Sequence, residues 1–339
     1  MKHIILMLLT ALTFSNAWGG PYEDALSANS RGDFAAVIKI SRPQALKGEA
    51  WAQFNMGFAY SNGQGVVQDY AEAVKWYRLA SQQGNTPASH NLGVLYSTGQ
   101  GVAQDYAEAF KFFSLAAQLG NAGSQYTLGF IYDSGRGAVQ DDAEAVKWYR
   151  LAAQQGNALA QLNLGSKYEN GRGVVQDYAE AVKWYRLAAL QGDSSAQFNM
   201  GYVYSKGQGV IQDNAESVKW YRLSAQQGDP AAQFNLALKY DNGQGVVQDF
   251  AEAVKWYRLS AQQGNAPAQS NLGVMYEKGQ GVVQDYVKAH SWFNLAAVKG
   301  DPLSVKNRDN LANRMNSQQI AEAQKLARDC LARQFKGCN

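Results

Sequence analysis

Histidine and cysteine are scarce in this chain, whose 339 residues include only three His and two Cys. His3 lies near the N-terminus, and His90 and His290 stand about 200 residues apart. Metal sites and Cys–His nucleophiles need several such side chains brought together. The sequence therefore predicts no metal site, no cofactor and no catalytic pair of histidines.

Serine-based catalytic motifs are also missing. No Ser begins an S-x-x-K sequence, and no G-x-S-x-G sequence occurs. Glycine-rich segments do occur, as at Gly171 and Gly173, but no strand is predicted before them and no Lys-Ser or Lys-Thr pair follows. They therefore do not fit a phosphate-binding loop. We predict that the protein is not an enzyme.

The chain has no excess of either charge, because 31 Lys and Arg residues stand against 28 Asp and Glu residues. A nucleic-acid-binding surface needs a basic surplus to neutralise phosphates, so nucleic acid is not a predicted partner. The recurring sequence Lys-Trp-Tyr-Arg, as at Lys147, contains residue types that stack on bases. Trp and Tyr at fixed repeat positions are better explained as packing between helices.

Long apolar runs are absent except at the N-terminus, where residues 4–14 form an apolar segment after Lys2. This segment is too short to span a bilayer comfortably, and small residues follow it up to Ala17. The pattern predicts a signal peptide over residues 1–17, cleaved after Ala17, and a periplasmic or secreted protein with no membrane span. A buried first helix is the alternative interpretation.

Internal repetition is abundant. The dipeptide Gln-Asp returns every 36 residues, with its Asp at Asp69, Asp105, Asp141, Asp177, Asp213, Asp249 and Asp285. The predicted array covers residues 49–300 as seven units without insertion or deletion. One pair of helices of this size cannot bury its apolar faces alone, so the units are expected to stack as a solenoid.

Each unit has the pattern of two helices, which we call helix A and helix B. In residues 157–192, Asn157 is expected to cap helix A, and the glycines of the following loop are expected to end it. Asp177 and Glu180 have the spacing of a capping box, which predicts the start of helix B.

This pattern resembles the Sel-like repeat family, a relative of the tetratricopeptide repeat. The resemblance rests on A-x-x-x-L-G-x-x-Y from Ala160 to Tyr168, on the G-x-G-V loop, and on A-x-x-W-Y-x-x-A from Ala181 to Ala188. It implies an all-α fold, a right-handed superhelical solenoid of antiparallel helix pairs, in which helices A line a concave surface that binds proteins or peptides. Some cysteine-rich members of the family carry a beta-lactamase label, whereas no repeat of this chain contains Cys.

The two ends differ from the repeats and are predicted to cap the array. Residues 18–48 are predicted to form an N-terminal capping half-repeat, and residues 301–339 to form C-terminal capping helices. Cys330 and Cys338 are a candidate disulfide in an exported protein, and two free thiols are the alternative. One straight helix would hold their Cα atoms about 12 Å apart, too far for a disulfide. The last helix must therefore end between them, and Gly337 is the predicted turn.

Positions that vary among the similar repeats mark the candidate binding surface. Two such positions lie four residues apart in helix A, and a third, three residues further on, is often acidic, as at Asp133 and Glu169. These offsets share one helical face. Ordinary helix packing is the alternative interpretation, although Ser166 and Ser270 show that both apolar positions also accept Ser. The predicted partner-binding residues are Phe54, Phe58, His90, Tyr126, Phe130, Phe198, Tyr202, Phe234 and Leu238.

These observations together predict an exported, monomeric scaffold that binds a protein or peptide through the concave face formed by helices A. The alternative function is a cell-envelope enzyme or a binder of cell-wall fragments, similar to the relatives that carry the beta-lactamase label.

Overall fold

The computed structural model describes residues 20–298, 300, 302–335 and 337–338, and this part of the chain contains 18 helices and no strand. The signal peptide predicted over residues 1–17 lies outside the described residues. The predicted all-helical fold of consecutive helix pairs is confirmed. Two helices, α1 (Pro21–Ser30) and α2 (Phe34–Leu46), come first, and two more, α17 (Pro302–Ala312) and α18 (Ser317–Ala332), come last.

Seven pairs of helices lie between these ends. Helices A are α3 (Ala50–Asn62), α5 (Thr86–Thr98), α7 (Ala122–Ser134), α9 (Ala158–Asn170), α11 (Ser194–Lys206), α13 (Pro230–Asn242) and α15 (Ala266–Lys278). Helices B are α4 (Tyr70–Gln82), α6 (Tyr106–Gln118), α8 (Asp142–Gln154), α10 (Tyr178–Leu190), α12 (Asn214–Gln226), α14 (Phe250–Ala261) and α16 (Tyr286–Ala297).

The helices form two compact units, of which the first ends at Ala160 and the second begins at Gln161. Within each unit, consecutive helices pack against one another. Packing that joins mainly neighbours in sequence is characteristic of repeat proteins, whose stability is the sum of repeat terms and nearest-neighbour terms.

The helix starts agree only partly with the sequence prediction. The Asp69 carboxylate accepts from the backbone N–H of Glu72 at 3.0 Å, and Asn157 caps helix A in the same way. The predicted reciprocal capping box is wrong, because the backbone N–H of Asp69 donates instead to the Tyr60 carbonyl at 2.9 Å. Glu72 is therefore free of that role, and its carboxylate pairs with Lys75 at 2.7 Å.

Each repeat buries one aromatic ring of helix B against its own helix A. Tyr77 is 1% exposed, and a Cβ added at Gly57 would lie only 2.6 Å from its ring. The absence of a side chain at Gly57 thus allows close approach of the two helices. The corresponding buried rings further along the chain are Phe113, Tyr149, Tyr185, Tyr221, Tyr257 and Phe293.

A buried glutamine of helix A bonds both to helix B of its own repeat and to the helix before it. Gln83 Nε2 donates to Gln53 Oε1 at 2.8 Å, and Gln53 Nε2 donates to the Ala45 carbonyl of the preceding helix B position at 3.3 Å. The same bond recurs between Gln227 and Gln197 at 2.8 Å. These bonds satisfy amide groups that burial would otherwise leave unpaired.

The C-terminal helices pack on α16, and the predicted disulfide is present in the structure. Cys330 lies in α18, and its Cα is 5.5 Å from that of Cys338. The helix ends at Ala332, earlier than the predicted turn at Gly337, and Gln334 and Phe335 both adopt positive φ. The chain thus starts to turn back before Gly337, because two non-glycine residues take the left-handed conformation, and Gly337, the predicted turn, also has a positive φ of 68°.

Candidate functional site: the helix-A face

The first row of predicted binding residues lies against the buried rings of helix B. Phe54, His90, Tyr126, Phe198 and Phe234 are half-buried, and each has a ring of helix B in its own repeat close by. The centroid distances are 5.8 Å for Phe54–Tyr77, 5.6 Å for His90–Phe113, 6.0 Å for Tyr126–Tyr149, 5.7 Å for Phe198–Tyr221 and 6.0 Å for Phe234–Tyr257. The side chains of this row therefore contribute to packing and remain partly exposed to solvent.

The second row, four residues further along helix A, is more exposed. Phe58, Phe130 and Tyr202 are 41%, 44% and 37% exposed, and Leu238 is half-buried. Phe54 and Phe58 face each other along α3 with ring centroids 6.1 Å apart. In each repeat, the residues of the two rows thus form one strip on the surface of helix A, which we call the helix-A face.

The third, acidic row binds the buried tyrosines. Tyr185 donates its hydroxyl to Glu169 at 2.6 Å, and Tyr257 donates to Asp241 at 3.0 Å. Burial, and after it the neighbouring carboxylate, raises the pKa of both tyrosines above the usual 10. These carboxylates are therefore held at the base of the helix-A face as acceptors for the core.

The two described histidines have separate environments. His90 Nδ1 lies 2.8 Å from Ser124 Oγ, and burial lowers the pKa of the His90 imidazole. His290 lies in the second unit, where its Nδ1 is 3.0 Å from Asn294 Nδ2. Burial, and after it Arg308, lowers the pKa of His290. Each histidine is thus part of a local packing arrangement.

Two cavities, which no sequence pattern indicated, open beside the helix-A face of the first unit. A pocket of about 160 Å³ lies where α1, α2 and α3 meet, and Phe54 and Phe58 form part of its wall. A cleft of about 370 Å³ lies one repeat further on, between Phe58 and Val94. The shared residue Phe58 places both cavities on the same face.

Within the described ranges, no cluster of three or more His, Cys, Asp or Glu residues has the geometry to hold a metal ion. None of the helices described is both long enough and apolar enough to cross a membrane.

Stacked helix pairs with a variable helix-A face define a helical repeat protein. The model of the Sel1 repeat matches seven consecutive segments: residues 52–85, 86–121, 122–157, 158–193, 194–229, 230–265 and 266–301. The chain therefore belongs to the Sel1 repeat family, and the resemblance stated from sequence is confirmed.

A solved structure agrees with this assignment. A Sel1 repeat protein from Oxalobacter formigenes is 32% identical over 91% of this chain and 92% of its own, with a TM-score of 0.63. The chain is also similar to c5321, a protective antigen of uropathogenic Escherichia coli that displays an SLR fold, with 31% identity over 92% of this chain and 83% of the other and a TM-score of 0.47. No curated protein matches this sequence significantly.

Proposed function

We propose that this protein is an exported, monomeric scaffold that binds a peptide or protein segment through the helix-A face. Sel1 repeats form scaffolds that commonly bind proteins. The observation that carries the proposal is the exposure of Phe58, Phe130 and Tyr202, between 37% and 44%, at one register of helix A. Aromatic side chains kept at a solvent-facing position are typical of interaction surfaces.

The same proposal assigns no catalytic step to the chain. The predicted binding residues of the helix-A face are aromatic or aliphatic, and carboxylates of the third row accept hydrogen bonds from core tyrosines, as Glu169 does from Tyr185. These groups support binding by burial of apolar area. The enzymatic alternative gains no support from the proteins that this chain resembles.

Selection of peptides from a random display library tests the binding function. The mature chain is the bait, and the test variant carries Phe58→Ser, Phe130→Ser and Tyr202→Ser. Ser166 occupies the equivalent position in the fourth repeat, so Ser is compatible with this site. We expect selected peptides to lose about tenfold or more in affinity for the variant, because hot-spot aromatics contribute at least 1.4 kcal/mol.

The control variant removes apolar side chains of similar exposure from helix B: Leu79→Ser, Leu151→Ser and Leu223→Ser, which are 43%, 38% and 44% exposed in the wild type. It should bind the selected peptides as the wild type does. Equal loss of binding in both variants, or an unchanged affinity in the helix-A variant, would refute the assigned face.

Export is tested by expressing the full chain in a Gram-negative host and separating the periplasmic fraction. We expect protein in that fraction whose first residue is Trp18, read by N-terminal mass spectrometry. Retention of Met1 and of residues 1–17 on the recovered protein would refute the proposed cleavage.

A further inference from the structure

The two cavities on the first unit are versions of one recurring pocket. Seven wall positions of the smaller cavity return 36 residues later in the wall of the larger cleft. The pairs are Ala25 and Ser61, Leu26 and Asn62, Phe34 and Tyr70, Asn55 and Asn91, Phe58 and Val94, Ala59 and Leu95, and Gln64 and Gln100.

The N-terminal version of this pocket is the apolar one. Three of its wall residues, Ala25, Leu26 and Phe34, stand where the next repeat has Ser61, Asn62 and Tyr70. None of the residues that line it is charged. Because burying an unpaired charge in such surroundings is costly, the pocket fits an uncharged apolar group.

The N-terminal version also lacks the particular ring that helix B supplies in the later repeats. Tyr77 forms part of the wall of the cleft, and its hydroxyl interacts with Asn91 and Ser61. The residue 36 positions before Tyr77 is Ser41, which is fully buried and accepts a hydrogen bond from Asn55 at 3.2 Å. Asn55 also lines the pocket. The side chain that corresponds to Asn91 is therefore present, but the ring that it would meet is missing.

The size of the cavity indicates what fits there. A protein cavity of roughly 150 Å³ lined by Leu, Ile and Phe takes up benzene, and this pocket has about 160 Å³. One six-membered ring thus fits the available space, and a second ring does not.

We propose that this pocket binds one aromatic side chain, Phe or Tyr, of the partner peptide, which supplies the ring that later repeats carry in helix B. The choice of a peptide as occupant rests on the proposed function. Phe54 and Phe58 belong both to the pocket and to the helix-A face, so a peptide lying along that face reaches the pocket directly.

Toluene and p-cresol, the side chains of Phe and Tyr without a backbone, test the pocket itself. The mature full-length chain is labelled with ¹³C at Ala and Ile methyl groups and titrated with each compound. We expect saturable shifts at Ile38 and Ala59, which line the pocket. Absence of a saturable shift at these methyl groups would overturn the proposal.

Substitutions taken from the next repeat supply the matched variant. Ala25→Ser, Leu26→Asn and Phe34→Tyr convert the wall to its polar version and should weaken toluene binding at least tenfold. Leu26→Asn alone changes a residue that is 51% exposed, so it preserves the fold, and it should weaken binding in the same direction. Leu119→Asn, at an equally exposed site outside both cavities, should have no effect. Unchanged binding in the Leu26→Asn variant would contradict the assignment.

The peptides from the display experiment test the occupant separately. Peptides that use the pocket should contain Phe or Tyr, lose affinity when that residue becomes Ala, and be displaced by toluene. If toluene binds and no peptide is enriched, the proposed function fails and the peptide is overturned as occupant. If peptides bind and toluene does not compete, the pocket assignment fails while the proposed function stands.

Discussion

The ring of Phe198 packs against the ring of Tyr221, with their centroids 5.7 Å apart. Tyr221 is 1% exposed, whereas Tyr202, one turn further along α11, is 37% exposed. The two neighbouring residues of the helix-A face therefore differ in what they contribute to stability.

We expect Phe198→Ala to lower the free energy of unfolding by about 2–3 kcal/mol, because it removes a half-buried ring from the packing around Tyr221. Tyr202→Ala should cost less than about 1 kcal/mol, as is usual for exposed positions. Urea unfolding followed by circular dichroism measures both changes. An equal loss of stability in the two variants would show that Tyr202 also belongs to the core.

Lys239 and Asn214 form a pair that only some repeats contain. Lys239 is 6% exposed, and its Nζ donates to Asn214 and to Ser205, each at 2.8 Å. Burial, and after it the charge of Lys206, lowers the pKa of Lys239. The next repeat has Met275 at the position of Lys239. The preceding repeat has Tyr178 at the position of Asn214.

We predict that Lys239→Met and Asn214→Tyr are coupled in stability. The single change Lys239→Met leaves Asn214 without its donor, whereas the double change restores the apolar and aromatic residues that other repeats have. The double variant should lose less free energy of unfolding than the sum of the two single variants, and the difference, the coupling energy, should be about 0.5–3 kcal/mol. Additive effects in the thermal denaturation of the four proteins would contradict the pairing.

The half-buried His90 and the buried His290 predict a loss of stability in weak acid. Folding holds the pKa of His90 and of His290 below the usual 6.5, so the unfolded chain binds more protons than the folded one below that pH. Stability should be greatest above pH 6.5 and should fall as the pH is lowered from 6.5 towards the folded-state pKa values. Asp329, whose pKa is lowered from 3.8 by Lys325, acts only at more acidic pH.

Thermal unfolding between pH 7 and pH 5 measures this dependence. His90→Phe and His290→Val introduce residues found at the same repeat positions, as in Phe54 and Val254. Each change should reduce the slope of melting temperature against pH, and the double variant should reduce it most. An unchanged slope in the double variant would show that other groups titrate in this range.

Local signals were sufficient to predict the helix pairs. The 36-residue period marks each pair, and the side-chain caps act within a few residues, so Asp69 and Asn157 cap their helices as the sequence indicates. The absence of reciprocal capping by Glu72 could not be predicted in the same way. It depends on whether the N–H of Asp69 is free, and the fold gives that N–H to Tyr60.

The glutamine bonds and the apolar pocket depend on side chains that meet across the fold. Gln53 and Gln83 are 30 residues apart, and their bond is visible only after helices A and B pack. A signal did exist, because the second repeat replaces both glutamines together, with Ser89 and Leu119. The substitution of Ser41 for the recurring aromatic was likewise visible, but the cavity lined by its hydrogen-bond partner Asn55 was not.

The disulfide fixes the C-terminal segment against the preceding helices of the second unit. Cys330 and Cys338 are 5% and 8% exposed, and the Cys338 carbonyl accepts a hydrogen bond from Gln262 Nε2 at 2.8 Å. Trp292 and Leu295 of α16 lie beside both cysteines in a shared cavity wall. Reduction should therefore release the turn after α18 and expose part of the surface of α16.

We expect reduction, or Cys330→Ala with Cys338→Ala, to lower the stability of the C-terminal cap by about 2–3 kcal/mol on the chain-entropy model for a short loop. Hydrogen exchange should show faster exchange in α18 and in the last turn of α14, with the first unit unchanged, because contacts in a repeat array reach only near neighbours. Adding reductant to the double variant is the control and should change nothing further. Equal exchange rates in the oxidised and reduced protein would mean that packing of α18 on α16 alone holds the cap.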